Sequence, residues 1–246
     1  MRGGERVEFE APEMAEERPV VLWEDGSLRV VNKPAGIASE ELETAEVRLV
    51  HRLDKETTGV LLLAKSEAAR KALVAQFAAR AIKKRYLAIV DGVVAGERGV
   101  CRHPIGAVGH FAGQTVYGPT HRGKEAETRW RRVAVGQGAT LVACFPKTGR
   151  THQIRVHWAA LGHPLWMDRQ YGERFQCKGS FSRFLLHAQA VALIHPATGA
   201  AWEVSAPLFP SFHRALQIVG LEMGLPVEEV FQQSEEDRWG EGEGDE

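Results

Sequence analysis

Every long apolar run in this chain stops at strand length. Residues 60–64 (VLLLA) are among the longest, far short of the roughly 20 residues that a membrane-spanning helix needs. Short apolar segments of this kind must bury themselves against one another, and 246 residues suffice for a sizeable core. The pattern predicts strands at 20–23 and 28–31, joined by the hairpin signal Asp25-Gly26. Further strands are expected at 47–53, 60–64, 86–90, 128–135, 139–145, 185–194 and 202–206. The Gly- and His-rich stretch 97–125 reads as loops or short hairpins, and 165–184 as irregular.

Helices are fewer. Ser66 can cap a helix whose Ala69, Leu73, Phe77 and Ala81 repeat every four residues, with Lys83-Lys84-Arg85 closing it where the helix dipole favours cations. Thr151 is placed to cap a second helix running to about Leu161, with Gly162 just beyond its end. Ser211 and Pro226 open two short ones. Strands and helices mix without a regular βαβ rhythm, so the fold class expected is α+β.

The formal net charge of −1 argues at first against a polyanionic partner. The total conceals a partition. Residues 1–19 carry −3 and residues 234–246 carry −6, which leaves +8 on the body, and all ten histidines lie there. The ends read as an acidic extension and an acidic, disordered tail flanking a basic body over 20–233. Solubility alone would explain a +8 body, but such a body can also face an anion.

Cys101, Cys144 and Cys177 are far apart and include no CxxC pair, so neither a disulfide framework nor a zinc site is expected. A reducing compartment follows, and the Glu-rich start has no apolar signal segment, so a cytoplasmic protein is expected. No HExxH, Walker-type loop, GxGxxG or GxSxG occurs, which leaves metal, nucleotide and serine-hydrolase chemistry without support.

Two constellations could carry chemistry. The first surrounds Asp54 in HRLDKETTGV (51–60), with Arg52, Lys55 and two hydroxyls nearby. An Asp at such a junction is most often a turn former bonding the backbone two residues on. The alternative is a reactive carboxylate held charged by neighbouring cations. The second is KTGRTHQIRVH (147–157). Ile154, His157, Trp158 and Leu161 share one helical face, while His152 and Arg155 share another. Lys147, Arg150 and Arg155, with no acid among them, either form a solvated helix face or receive a phosphate or carboxylate. A third element, Lys84-Arg85-Tyr86, ends a stretch (65–85) of net charge +6. Tyr86 is either a core residue or a surface for a nucleobase.

Taken in order, these motifs resemble the RluA-type RNA pseudouridine synthases. Asn32-Lys33-Pro34-Ala35-Gly36 is similar to the first motif of that family, and HRLDKETTGVLLLAKS (51–66) to its catalytic motif. KRYLAIV (84–90) is similar to its lysine–tyrosine motif, and TGRTHQIRVH (148–157) to its arginine motif. Gly162 to Leu165, Leu186-His187-Ala188 and Ala206-Pro207-Leu208 follow in the family's order. Thr58 stands where serine is common, and Met167 precedes Asp168 where glycine is usual.

The resemblance implies a mixed, largely antiparallel central sheet flanked by helices around an RNA-binding cleft. It implies isomerisation of uridine to pseudouridine in ribosomal or transfer RNA by a monomer, without metal or organic cofactor. Asp54 would be the essential carboxylate, attacking a carbon or removing a ribose proton, with Arg155 paired to it and Tyr86 packed on the uracil. Arg52, Lys84, Arg85, Lys147, Arg150 and His152 would contact RNA, and the base would leave its stack to react. No separate S4-type domain is expected before the first strand. Two other readings stand beside this one: an inactive RNA-binding module with the same fold, and a metal-dependent hydrolase using the His-rich loops.

Overall fold

Asp25 turns the chain between its first two strands, β1 (Val20–Glu24) and β2 (Leu28–Lys33). Its carboxylate accepts from the amides of Ser27 and Leu28 at 2.7 and 2.8 Å. The computed structural model describes residues 17–111, 113–172 and 183–222. After a short 3-10 turn come β3 (Arg48–Leu49), β4 (Thr58–Ala64), α1 (Glu67–Ala78), β5 (Lys83–Asp91) and β6 (Arg98–Cys101). A separate hairpin, β7 (Ile105–Phe111) and β8 (Gln114–Pro119), precedes β9 (Thr128–Val135) and β10 (Ala139–Pro146). The chain then forms α2 (Gln153–Ala160), β11 (Leu186–Ile194), β12 (Ala201–Ser205) and α3 (Pro210–Ile218).

Ten strands form one mixed sheet in the order β1-β2-β4-β11-β5-β10-β9-β6, with β12 on β11 and β3 on β4. Only β4 and β11 run parallel, and they touch at just two pairs, Thr58–His187 and Gly59–Ala188. Beyond that contact the same edge of β4 is taken by the His51 side chain, whose Nε2 accepts from the Leu62 amide at 3.0 Å, and then by β3. The sheet therefore splits between β4 and β11, while β4 stays paired with β2 along its other edge.

Strand alternation sends side chains to opposite faces. On β5 and β10, Leu87, Ile89, Leu141 and Phe145 pack against Phe212, Ala215 and Leu216 of α3. Ala88, Val90, Val142 and Cys144 pack on the other face against Ile154 and Trp158 of α2. On β4, Val60, Leu62 and Ala64 meet Ala69 and Leu73 of α1, while Leu61 and Leu63 meet Val47 and Leu53. Tyr86 belongs to both the α2-side cluster and the Val47–Leu53 cluster, so α2 and the 43–57 loops share one face of the sheet.

Four local expectations are corrected. α1 ends at Ala78, because Arg80 adopts a left-handed backbone (φ 57°) that reverses the chain. Ile82, not the exposed Ala81, completes the buried stripe, and Lys83-Lys84-Arg85 start β5 instead of closing the helix. Thr151 does not cap α2; His152 holds that position with φ 55°. The strand expected over 47–53 shrinks to two residues, because Ser39 Oγ bonds both the amide and the carbonyl of Leu53 at 3.0 Å. Glu17 is not solvated either: it accepts from Arg183 at 3.1 Å and from the Ser211 amide at 3.0 Å, capping α3. The helix expected at Pro226, Cys177 and the tail 234–246 lie outside the described residues.

The β4–β11 contact depends on Gly59. Its φ is +108°, and a Cβ there would sit 2.7 Å from the carbonyl carbon and the amide nitrogen of Ala188. Gly59→Ala should lower stability by about 3 kcal/mol, from backbone strain and overpacking together; urea denaturation checks this. Beside it, His187 Nε2 donates to Ala206 O at 3.1 Å and Nδ1 accepts from the Thr58 hydroxyl at 2.8 Å. Burial pushes this imidazole from 6.5 down to about 4. The stability it contributes is therefore intact above pH 6.5, declines as pH falls below that value, and is gone below about 4. Replacing it in His187→Gln should flatten that part of the pH–stability curve.

Candidate active site

The face shared by α2 and the 43–57 loops holds a cleft of about 590 Å³. Its lining includes Arg52, Asp54, Lys84, Tyr86, Arg150, His152 and Arg155, so residues drawn from three distant sequence motifs converge here.

Asp54 leaves the loop after β3. Its main-chain carbonyl accepts from the Thr57 amide at 3.0 Å, so the backbone makes the turn. The side chain points instead to Arg155, whose Nη1 lies 3.4 Å from Oδ2, and to His152, whose Nε2 lies 3.9 Å from the same oxygen. The loop around Asp54 is held from beneath. Lys33 Nζ donates to the carbonyls of Pro34, Ile37 and Lys55 at 2.8, 2.9 and 3.0 Å, and the Gly36 amide donates to Lys55. Burial pulls this ammonium down to about 8. The first motif thus acts as a brace for the second.

Arg155 is almost wholly buried, and its main partner is Asp168, not Asp54. Nε donates to Oδ2 at 2.7 Å and Nη2 to Oδ1 at 3.0 Å, a bidentate pair, and Nη2 also donates to Gln170 Oε1 at 3.1 Å. The guanidinium lies between the rings of Tyr171 (4.9 Å) and Phe184 (4.2 Å). Asp168 is itself fully buried and accepts from the amides of Gln170 and Tyr171. Burial lowers the Arg155 pKa, but the Asp168 bonds and charge, with Asp54, outweigh it and hold the group charged. Sequence reasoning missed Asp168 and Tyr171. The usable signal was the rule that a buried arginine on the inner side of α2 needs an acid.

Alternation along β5 turns Lys84 and Tyr86 toward the cleft. Lys84 Nζ donates to Thr148 O at 3.0 Å, and burial, reinforced by Lys147, depresses its ammonium to about 8. Burial and the Asp54 charge raise the Tyr86 phenol above its ordinary value, so it stays protonated. The same alternation corrects the expectation for Arg85. It is buried, does not line the cleft, and donates to Gln189 Oε1 at 2.7 Å, so it braces the sheet.

The segment before α2 is clipped by Gln153. Its Oε1 accepts from the Thr148 hydroxyl at 2.6 Å and the Arg150 amide at 3.0 Å, and its Nε2 donates to Glu127 O and Thr128 Oγ1. Lys147 adjoins the cleft between the lining residues Pro146 and Thr148. Arg52 is largely exposed at the rim and pairs with Glu40 at 3.1 Å. Among the described residues, no cluster of three or more His, Cys, Asp or Glu could hold a metal ion, and no helix is long and apolar enough to cross a membrane.

A carboxylate, a buried arginine and a tyrosine contributed by these three motifs thus meet in one cleft. Residues 27–160 match the RNA pseudouridylate synthase family, and the chain belongs to it: it is an RNA pseudouridine synthase. It is 35% identical over 222 residues to ribosomal large subunit pseudouridine synthase C of Salmonella typhimurium, covering 81% of this chain and 70% of that protein. It is 36% identical over 216 residues to the protein of the same name from Pasteurella multocida, covering 80% and 66%. Two solved human structures share the fold at TM-score 0.67. RNA pseudouridylate synthase domain containing 4 is 24% identical, with 84% of this chain and 94% of that one covered. Domain containing 1 is 25% identical, with 87% and 98% covered.

Asp168→Asn should leave Arg155 as a poorly compensated buried cation. A loss of roughly 3–5 kcal/mol is expected in chemical denaturation, together with reduced activity per folded molecule. Unchanged stability would show that Asp168 is not the counter-ion Arg155 depends on.

Proposed function

We propose that this enzyme converts uridine to pseudouridine in large-subunit ribosomal RNA, with Asp54 as the reacting carboxylate and the target base flipped out of its stack. The observation that carries this reading is the Asp54 carboxylate in the cleft, aligned by an arginine that is itself locked in a bidentate buried pair. The names of the curated relatives favour ribosomal over transfer RNA. The reaction balances within the substrate: the N1–C1′ bond breaks, C5 bonds to C1′, C5 loses a proton and N1 gains one.

Each group has a task in this scheme. Arg155 orients Asp54. Tyr86, a neutral phenol, packs on the uracil. Lys84, Lys147 and Arg150 offset phosphate charge beside the flipped nucleotide, and Arg52 at the rim supports the position the base has left. The net charge of +8 on the body then has a use, since extrusion of a base costs a few kcal/mol that phosphate contacts can offset.

The test is to map pseudouridines in total RNA from cells with and without the gene. One or more sites in large-subunit ribosomal RNA should disappear on deletion and return with the wild-type gene. Asp54→Asn should restore none of them while the purified variant stays folded and still binds RNA. Loss confined to transfer RNA would reassign the substrate, and normal modification by Asp54→Asn would remove the mechanism.

A further inference from the structure

The 3.9 Å between His152 Nε2 and Asp54 Oδ2 is too long for a hydrogen bond. Its two ends are nevertheless fixed. His152 Nδ1 lies 2.8 Å from the Tyr171 hydroxyl. That oxygen accepts from the Tyr117 amide at 3.4 Å, an arrangement that favours its own proton pointing to Nδ1. The imidazole is flanked by the edges of Tyr117 (5.9 Å) and Tyr171 (5.7 Å). Burial favours the neutral ring, with Arg155 adding to that effect against Asp54 and Asp168. With Nδ1 accepting, the ring carries its proton on Nε2 and presents a donor toward Asp54.

We propose that this donor–acceptor pair receives the 2′-hydroxyl of the target uridine, which makes His152 the residue that selects ribose over deoxyribose. A 2′-hydroxyl both accepts and donates, as the pair requires, and it is what distinguishes RNA from DNA at a given site. At ordinary hydrogen-bond lengths of about 2.9 Å to nitrogen and about 2.7 Å to oxygen, one hydroxyl oxygen spans the gap at an angle of about 90°. A phosphate oxygen does not fit, because it cannot donate and it meets the Asp54 carboxylate as a like charge. The assignment rests on the proposed isomerisation with Asp54 at the reacting ribose. It holds whether that carboxylate works at C1′ or at C2′, since the hydroxyl is carried on C2′. Arg155 and His152 both approach Oδ2, which leaves Oδ1 for the reaction. Tyr171 is then a positioning residue, and through Tyr117 the β7–β8 hairpin is tied to the reacting centre.

The probes are two synthetic RNAs spanning the mapped uridine, one with uridine and one with 2′-deoxyuridine at that position. Their Kd values are measured by competition for wild type, His152→Ala and Tyr171→Phe, alongside single-turnover rates on the uridine RNA. Wild type should bind the deoxy RNA roughly tenfold more weakly, as expected for one lost hydrogen bond to a polar pair. That penalty should nearly vanish in His152→Ala. It should shrink in Tyr171→Phe, which keeps the ring over Arg155 and removes only the hydroxyl. An equal penalty in all three proteins, or none in wild type, overturns the assignment alone. Failure of wild type to isomerise the uridine RNA overturns the proposed activity and this assignment with it.

Discussion

The pair between Arg155 and Asp168 is the contact on which the rest of the site depends. A guanidinium taken out of water is tolerated only when its donors are met and its charge is balanced. Asp168 meets two donors, Gln170 shares one of them, and two aromatic rings cover the faces. Asp54 alone could not do this: it is partly exposed and stands at 3.4 Å. The orientation of Arg155 therefore comes from the 165–172 turn, and Asp54 is aligned to a group already fixed. The polar network is saturated where it is deepest and open toward the cleft, which leaves the Nη1 edge for Asp54.

Around that pair the sheet does the positioning. β5 runs through the middle of the molecule, and its pleat alone decides that Lys84 and Tyr86 face the cleft while Arg85 and Leu87 do not. The cleft opens on the α2 side, near the place where β4 parts from β11 after two residue pairs. Gly59 permits that brief contact, and His51 and β3 then satisfy the freed edge of β4. Lys33 and Ser39 fasten the backbone on both sides of the Asp54 loop with five hydrogen bonds, all to main-chain groups. The backbone of the loop that carries Asp54 is thereby pinned on either side of that residue.

Much of this was legible in the chain because the informative signals are local. Turn dipeptides and alternation located β1, β2, β9 and β10 to within two residues, and the Ser66 cap and the four-residue repeat located the start of α1. Asp54, Tyr86 and Arg155 stood inside long motifs. What was missed depends on tertiary partners. Asp168 is an isolated acid in an irregular segment, and nothing nearby in sequence announces that a buried arginine waits for it. Arg85 was misread by counting charge, although the period of two from Tyr86 would have put it on the opposite face. The end of α1 turned on a left-handed arginine that propensity does not foresee.

Backbone strain marks the same place as the ion pair. Among the described residues, three without glycine's freedom have positive φ, and two of them, His152 and Met167, lie within three residues of Arg155 and Asp168 respectively. Such conformations cost of order 1–3 kcal/mol each and persist only where surrounding contacts over-determine them. At His152 those contacts are Tyr171, Tyr117 and the Gln153 clip; at Met167 they are a buried side chain in the α3-side core and the Asp168 amide bonded to Leu165. At Met167 the side chain is buried in the core, so packing offsets the strain of its left-handed backbone. The strain follows from geometry. Helix α2 must begin abruptly for His152 and Arg155 to reach Asp54 together, and the following turn must fold back tightly to bring Asp168 under the same arginine. The conformational cost of the site is thus carried by the two residues that set the direction of its ion pair, and Asp54 itself is held in an ordinary turn.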